Sequence, residues 1–262
     1  MNRALIVVTS LVVTTAVAPS TFLALEAAQQ DAQAIVEEAQ RRSTTASERY
    51  EGLLQSFDAS GKTSEKRWIF ERLGSHGESK SVIRFTAPAE VRGVALLIVN
   101  HADRPSDQWM WTPAIGRDRR IALQDRSTRF FGTDFSFEDL EERDAKQYDH
   151  RLLGEEAIDG AATWRIQATP KAARSSQYTN TTIWIRKDNY AIVRIDSFVK
   201  DQIVRRLQSS NLKQVDGIWT AHENVMTDFQ RSSKTRLTLD KVEYKVPFDD
   251  ADFTLQSLRR RQ

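Results

Sequence analysis

A change of hydrophobic period narrows the fold more than anything else in this chain. From residue 49 onward, β-branched and aromatic residues recur in short segments separated by clusters of Gly, Asn, Asp and Ser. Asp58-Ala59-Ser60-Gly61, Asp159-Gly160, Lys187-Asp188-Asn189 and Asp216-Gly217 are hairpin signals, because such residues tolerate the positive φ that tight turns need. Within the segments the side chains alternate. Ala162, Trp164, Ile166 and Ala168 interleave with Thr163, Arg165, Gln167 and Thr169, which gives a strand one dry and one wet face. Trp219, Ala221, Val225 and Phe229 interleave in the same way with Thr220, His222, Asn224 and Asp228, and are expected on the dry side. Consecutive hairpins of this kind predict a mainly β chain. It is expected as a single curved antiparallel sheet whose dry concave face closes round its own core or round a ligand.

Three stretches depart from the pattern. Residues 31–42 suit one amphipathic helix of about three turns, with Ile35, Val36 and Ala39 toward the body. In residues 113–143, Arg117, Arg119, Arg120, Arg126 and Arg129 precede Phe130, Phe131, Phe135 and Phe137, a run interrupted at Gly132 and ended by Glu138-Asp139. A segment so long, aromatic and poorly patterned reads as a plug over the core or a functional flap. Residues 248–258 read as a short closing helix or extended arm anchored by Phe253 and Leu258.

The 262 residues contain no compositional break, so one domain is expected. An apolar fraction of 40% and a charged fraction of 28% suit a water-soluble protein with a substantial core. Lys and Arg number 38 against 36 Asp and Glu, and apart from the tail Arg259-Arg260-Arg261 the signs are interspersed, which is a poor footprint for nucleic acid. The absence of cysteine removes disulfides, thiol nucleophiles, thiolate metal sites and a lipid-modified N-terminal cysteine together. Met1-Asn2-Arg3 followed by the uncharged, Thr-rich apolar run of residues 4–18 reads as a secretory signal peptide, too short for a membrane anchor. Cleavage is expected between Ser20 and Gln30, since Pro19 disfavours a cut after Ala18. This divides the chain into a signal peptide at 1–28 and one periplasmic, monomeric domain at 29–262.

No catalytic or metal-binding motif emerges. His76, His101, His150 and His222 are scattered, none in a ligand spacing, and His101 beside Asp103 reads as a solvated turn. There is no Gly-x-Ser-x-Gly elbow, phosphate-cradling loop or dinucleotide fingerprint. The chain is expected to be no enzyme and to need no cofactor or metal.

Four blocks resemble a known family. Ile83-Arg84-Phe85-Thr86-Ala87-Pro88-Ala89-Glu90-Val91-Arg92-Gly93-Val94-Ala95-Leu96-Leu97 is similar to the F-x-x-P-x-x-x-x-G-x-x-L-L segment of bacterial outer-membrane lipoprotein-sorting proteins of the LolA-like group. Trp109-Met110-Trp111-Thr112-Pro113-Ala114, Arg117-Asp118-Arg119-Arg120-Ile121 and Phe131-Gly132-Thr133-Asp134-Phe135-Ser136-Phe137-Glu138-Asp139-Leu140 continue the likeness in the same order. The resemblance covers roughly residues 31–258, and is to the subgroup found beside transporters of the RND or MMPL type. It implies a LolA/LppX-like half-open β-barrel with an N-terminal helix and short helices or loops across its mouth, carrying lipoproteins or free lipids.

Each block has a physical reading. Pro88 and Gly93 let the chain cross between strands without a regular hairpin. Trp109 and Trp111 share one side of a strand, and with Phe130, Phe131, Phe135, Phe137, Trp164 and Trp219 they are candidates to line an apolar cavity or its lid; core packing suits the two tryptophans equally. Arg117, Arg119 and Arg120 are candidates to hold a lipid head group, or to pair with Asp134, Glu138 and Asp139 and latch the aromatic loop down. The function expected is a periplasmic carrier that shelters a lipid or lipoprotein acyl chain. The alternative is a cargo-free module docked on an inner-membrane RND/MMPL-type transporter.

Overall fold

The computed structural model describes residues 20–260, with side chains for residues 31–259. The hydrophobic run predicted as a signal peptide and the end of the basic tail lie outside the described residues. Helix α1 (Ser20–Ser43) extends further toward the N-terminus than the three turns read from the sequence. Six strands follow: β1 (Ser47–Phe57), β2 (Thr63–Ser75), β3 (Glu78–Ala87), β4 (Ala95–Asn100), β5 (Asp107–Thr112) and β6 (Arg117–Arg120). Residues 121–147 form an irregular connection with single 3-10 turns. The chain then continues through β7 (Tyr148–Ile158), β8 (Ala161–Pro170), β9 (Asn180–Arg186), β10 (Ile192–Val199), β11 (Gln202–Val215), β12 (Ile218–Asp228) and β13 (Ser233–Tyr244), and ends in the short helix α2 (Leu255–Arg260).

All the strands join one antiparallel sheet, in the order β6-β5-β4-β3-β2-β1-β13-β12-β11-β10-β9-β8-β7. Two meanders meet in the middle, where β1 is paired on both sides, and the connection carries the chain from one edge to the other. The ladder slips between Glu51 and Gly52, a bulge that bends β1 against β13. A Cβ on Gly52 would lie 2.0 Å from the Thr238 carbonyl oxygen, so only glycine allows this approach. Gly93, at φ 79°, closes the irregular β3–β4 crossing by donating its N–H to the Phe85 carbonyl at 2.8 Å. The edge strand β6 is only four residues long and densely charged, which protects it from pairing with another chain.

Three covers keep the sheet out of water. On the inner face of β1–β4, Leu54, Trp68, Phe85, Leu96 and Ile98 pack under Phe130 and Phe137 of the 121–147 connection. Across β8 and β9, Ile166, Ile183 and Ile185 pack under Ala32, Val36 and Ala39 of α1, with Ile35 half-buried beside them. On the outer face, Val82, Ala95, Leu97 and Trp111 pack under Phe253 and Leu258 of the C-terminal arm. β4 is therefore dry on both faces, which explains its unbroken apolar run.

Two expectations about parity fare differently. In β8, Ile166 and Ala168 are buried and Trp164 is half-buried, whereas Ala162 is exposed and Thr163 is buried by donating to the Glu156 carbonyl at 2.5 Å. In β12 the expectation is reversed. Trp219 and Phe229 are 42% and 43% exposed, while Thr220 and Asp228 are buried. Thr220 and Asp228 turn inward here toward buried partners: Thr220 Oγ1 lies 2.5 Å from the Tyr244 hydroxyl, and Asp228 lies 3.8 Å from the buried Arg205 guanidinium.

The connection is a strap held by carboxylates. Asp134, fully buried, accepts from Ser233 Oγ (2.5 Å) and Thr235 Oγ1 (2.7 Å) on β13 and from Arg129 (2.7 Å). Glu138 accepts from Ser176 Oγ and the Gln177 N–H, and Asp139 from Arg205 and the Tyr178 hydroxyl, both at 2.7 Å. Glu141 is shared by Arg126 and Arg174 and also accepts from Gln108. Breaking a buried pair strands its partner, so Asp134→Ala should destabilise the fold by about 3–5 kcal/mol. Denaturant unfolding measures this, and a loss below about 1 kcal/mol would show that the strap is held by other means.

Helix α1 is fixed to β7 through His150, whose Nδ1 lies 2.6 Å from Gln33 Oε1. Gln33 Nε2 donates to Glu37, which leaves Oε1 as the acceptor and puts the imidazole proton on Nδ1. Burial, aided by the nearby Arg143 charge against the weaker opposite pull of Asp149 and Glu37, lowers the His150 pKa from 6.5 to about 4. The unfolded chain therefore takes up this proton at higher pH than the folded one. The stabilisation is complete above about pH 6.5 and is lost as pH falls toward 4, by up to about 3 kcal/mol. Melting curves should show a smaller drop in Tm between pH 7 and pH 4 for His150→Gln than for the parent; equal drops would remove His150 from the account.

Candidate functional site

Between the inner face of the sheet, the end of α1 and the strap lies a cavity of about 920 Å³. That is the size of a small-molecule or lipid site rather than a packing defect. Its chemistry changes along the strands. On β1, β2 and β13 the residues Glu48, Arg72 and Tyr244 stand side by side in register at one level, and Leu54 pairs with Leu237 at another. Six residues separate Glu48 from Leu54, about 20 Å of extended chain.

The apolar end is formed by Leu54, Trp68, Phe85 and Leu237 and is covered by Phe130 and Phe135. Phe130 stacks on Phe85 at 5.3 Å between centroids and meets Phe131 and Phe137 edge to face at 5.3 and 5.7 Å. This end is an aromatic floor.

The polar end is organised round Arg72. Its guanidinium lies between Glu48, at 3.1 Å, and Glu142. The Tyr50 hydroxyl donates to Glu48 at 2.6 Å, and Glu142 also accepts from the His76 N–H (2.8 Å) and Ser79 Oγ (2.6 Å). Burial pushes the Glu48 carboxyl above its usual range, against the pull of Arg72 and Tyr50. Gln40 joins this cluster to α1. Its Oε1 accepts from the Ala145 N–H and its Nε2 donates to the Arg143 carbonyl, both at 2.9 Å, which fixes the amide orientation. Its second N–H points to His76 Nδ1 at 2.9 Å and leaves the His76 proton on Nε2. Around the opening, the turn from β9 to β10 and the hairpin from β11 to β12 contribute Tyr190, Ile192 and Trp219.

The residues singled out in the sequence divide into three groups. Phe130, Phe135, Trp219 and Asp139 line the cavity. Phe131 and Phe137 stand behind Phe130, and Trp164 stands behind Tyr190 with ring centroids 5.1 Å apart. Trp109 and Trp111 are on the other side of the sheet. They pair with Leu97 and Ala95, share their parity, and pack outward against the C-terminal arm, so neither lines the cavity.

The arginine latch also needs correction. Arg120 pairs with Asp107 at 2.5 Å, Arg119 lies 4.0 Å from Asp125, and Arg117 is exposed. These three sit on the edge strand β6 and face solvent, far from a head-group role in this cavity. Asp134, Glu138 and Asp139 do pin the aromatic loop, but onto Arg129, Arg205, β13 and residues 176–178. Phe130, Phe135 and Phe137 are each under 10% exposed, and the loop is bonded down over the sheet as a strap in this structure.

The polar group of Glu48, Arg72, Glu142 and Arg143 was not singled out in the sequence. Glu48 and Arg72 share the even-numbered positions of Tyr50, Leu54, Trp68 and Phe70, and a charge recurring on a dry parity was the available signal.

The comparisons agree with this architecture. The model of a family described as uncharacterized protein matches residues 77–260. A sequence comparison with curated proteins finds no match. A domain from Vibrio parahaemolyticus described as an outer-membrane lipoprotein-sorting protein superposes with a TM-score of 0.84 at 25% identity, over 88% of this chain and 100% of that one. A DUF1329 family protein from Desulfovibrio piger gives 0.83 at 26% identity over 88% and 99%. A LolA superfamily protein from Nitrosomonas europaea shares the fold, with a TM-score of 0.70 at 19% identity over 86% and 98%. The chain belongs to the family matched at residues 77–260, and its fold is the one seen in the lipoprotein-sorting domain and the DUF1329 family protein.

Proposed function

We propose that the protein is a carrier that shelters the acyl chain of a lipid or lipoprotein in this cavity. It would act in the periplasm as a monomeric domain beginning near residue 29, in outer-membrane lipoprotein sorting or transporter-linked lipid export, and catalyse nothing. The observation that carries this reading is a cavity of about 920 Å³ with an aromatic floor at one end and a cluster of acidic and basic side chains at the other. An amphiphile matches that gradient: its tail reaches the Phe130 floor while its head stays with the charges. The sorting description of the Vibrio parahaemolyticus neighbour supports the same class of cargo.

The energy scale is adequate. About sixteen methylenes at roughly 0.8 kcal/mol each give ~13 kcal/mol, and association costs of ~4 kcal/mol or more reduce this to the micromolar range. Displacement of a fluorescent fatty acid should therefore be saturable with a micromolar Kd. Leu237→Trp, which puts a larger side chain into the empty space, should weaken binding at least tenfold with little change in Tm. A folded parent protein with no saturable binding to any acyl compound sinks the carrier reading, and docking on an RND/MMPL-type transporter becomes the better account. Native mass spectrometry of protein purified from its own periplasm, followed by lipid extraction, identifies the cargo.

A further inference from the structure

We propose that Arg143 is the anion-binding group for the head of the cargo, which makes that cargo an amphiphile with a carboxylate or phosphate head. This rests on the carrier reading above and adds the chemistry of the head group to it.

Arg143 lines the cavity and is half-buried. The other enclosed arginines of the strap and the inner face hold carboxylates: Arg72 holds Glu48 and Glu142, Arg126 and Arg174 share Glu141, Arg129 holds Asp134, and Arg205 holds Asp139. Arg143 has no carboxylate within 4.0 Å among the described residues. Its Nη2 donates to Thr181 Oγ1 at 2.8 Å and its guanidinium carbon lies 4.7 Å from the centre of the Tyr148 ring. Its Nε and Nη1 make no hydrogen bond among the described residues. A guanidinium offers parallel donors to a carboxylate or phosphate, and two of the donating nitrogens are unspent here.

The position is built. The Arg143 carbonyl accepts from Gln40 of α1, the preceding Glu142 is held by Arg72, His76 and Ser79, and the following Asp144 accepts the Lys146 N–H. The surrounding charges steer an anion to this one group. Two carboxylates already bracket Arg72, so its guanidinium is engaged and does not compete for an anionic head. At the opening, Arg41 and Arg42 share the single carboxylate of Glu38, which leaves an excess positive charge on the way in. The depressed basicity of His150, to which Arg143 contributes, is consistent with a cation short of a counter-charge.

Matched pairs of ligands test this at pH 8, where a fatty acid is ionised. Binding of myristate is compared with methyl myristate, and of monomyristoyl lysophosphatidate with monomyristoylglycerol, to the parent, Arg143→Met and Arg143→Lys. The parent should prefer the anion of at least one pair by about tenfold or more, the scale of one charge-assisted hydrogen bond. The pair with the larger preference tells carboxylate from phosphate. Arg143→Met should lose the preference while binding the neutral ligand within about twofold of the parent, which also shows that it is folded, and Arg143→Lys should keep part of it. A parent without preference in either pair, or a Met variant that keeps it, overturns the assignment and leaves the carrier reading intact. If the neutral and anionic ligands alike fail to bind the parent, the carrier reading fails and this assignment falls with it.

Discussion

The whole arrangement depends on one requirement: an open sheet with a dry inner face must be covered, because its two edges never meet to close a barrel. Helix α1 covers the strands near one edge and the strap covers the strands on the other side of the centre. The strap crosses the middle through its bonds to β13 and to Arg205 of β11, yet it does not fill the space beside α1. The cavity is the space left between two covers that each have their own core, so it does not depend on any one missing side chain. Its floor and its polar end are likewise set by whichever cover is nearer, Phe130 and Phe135 from the strap or Gln40 from the helix.

The strap is irregular backbone laid over an apolar face, and its ionic contacts follow from that. Such a segment cannot form a ladder with the sheet, so its polar groups must be met by side chains. Asp134, Asp139 and Glu141 meet hydroxyls, a phenol and arginines drawn from widely separated parts of the chain. Buried pairs of this kind add little net stability but are costly to break, which makes them locks more than glue. Among the described residues of the strap and the inner face, Arg143 is the enclosed arginine without a carboxylate, and it lines the cavity.

Much of this was legible in the sequence. Turn chemistry at Asp58-Ala59-Ser60-Gly61, Asp159-Gly160 and Asp216-Gly217 gave the meander, and the helix face of Val36 and Ala39 followed from spacing. What alternation does not reveal is which side of a curved sheet is the inside. Trp109 and Trp111 do share a face, but it is the outer one, where a C-terminal arm distant in sequence waits for them. In β12 the alternation inverts because Thr220 and Asp228 lie against Tyr244 and Arg205, while Trp219 stands at an opening. Arg117, Arg119 and Arg120 lie near Asp134 in sequence, yet Asp134 pairs with Arg129 and bonds Ser233 and Thr235, the last 101 residues away. A single sequence contains no measure of that distance.

The central pairing of β1 with β13 has a consequence in time. Leu53 and Thr238 are opposite each other in this ladder, although 185 residues separate them along the chain. A contact of such span is reached late, because the long intervening loop must be ordered before the pairing rewards it. Until β13 arrives, β1 belongs only to the first meander, Asp134 has neither Ser233 nor Thr235 to hold it, and the wall formed by Leu237 and Tyr244 does not exist. The cavity is thus complete only once β13 has paired: a chain that emerges N-terminus first lacks this wall until nearly all of it has emerged.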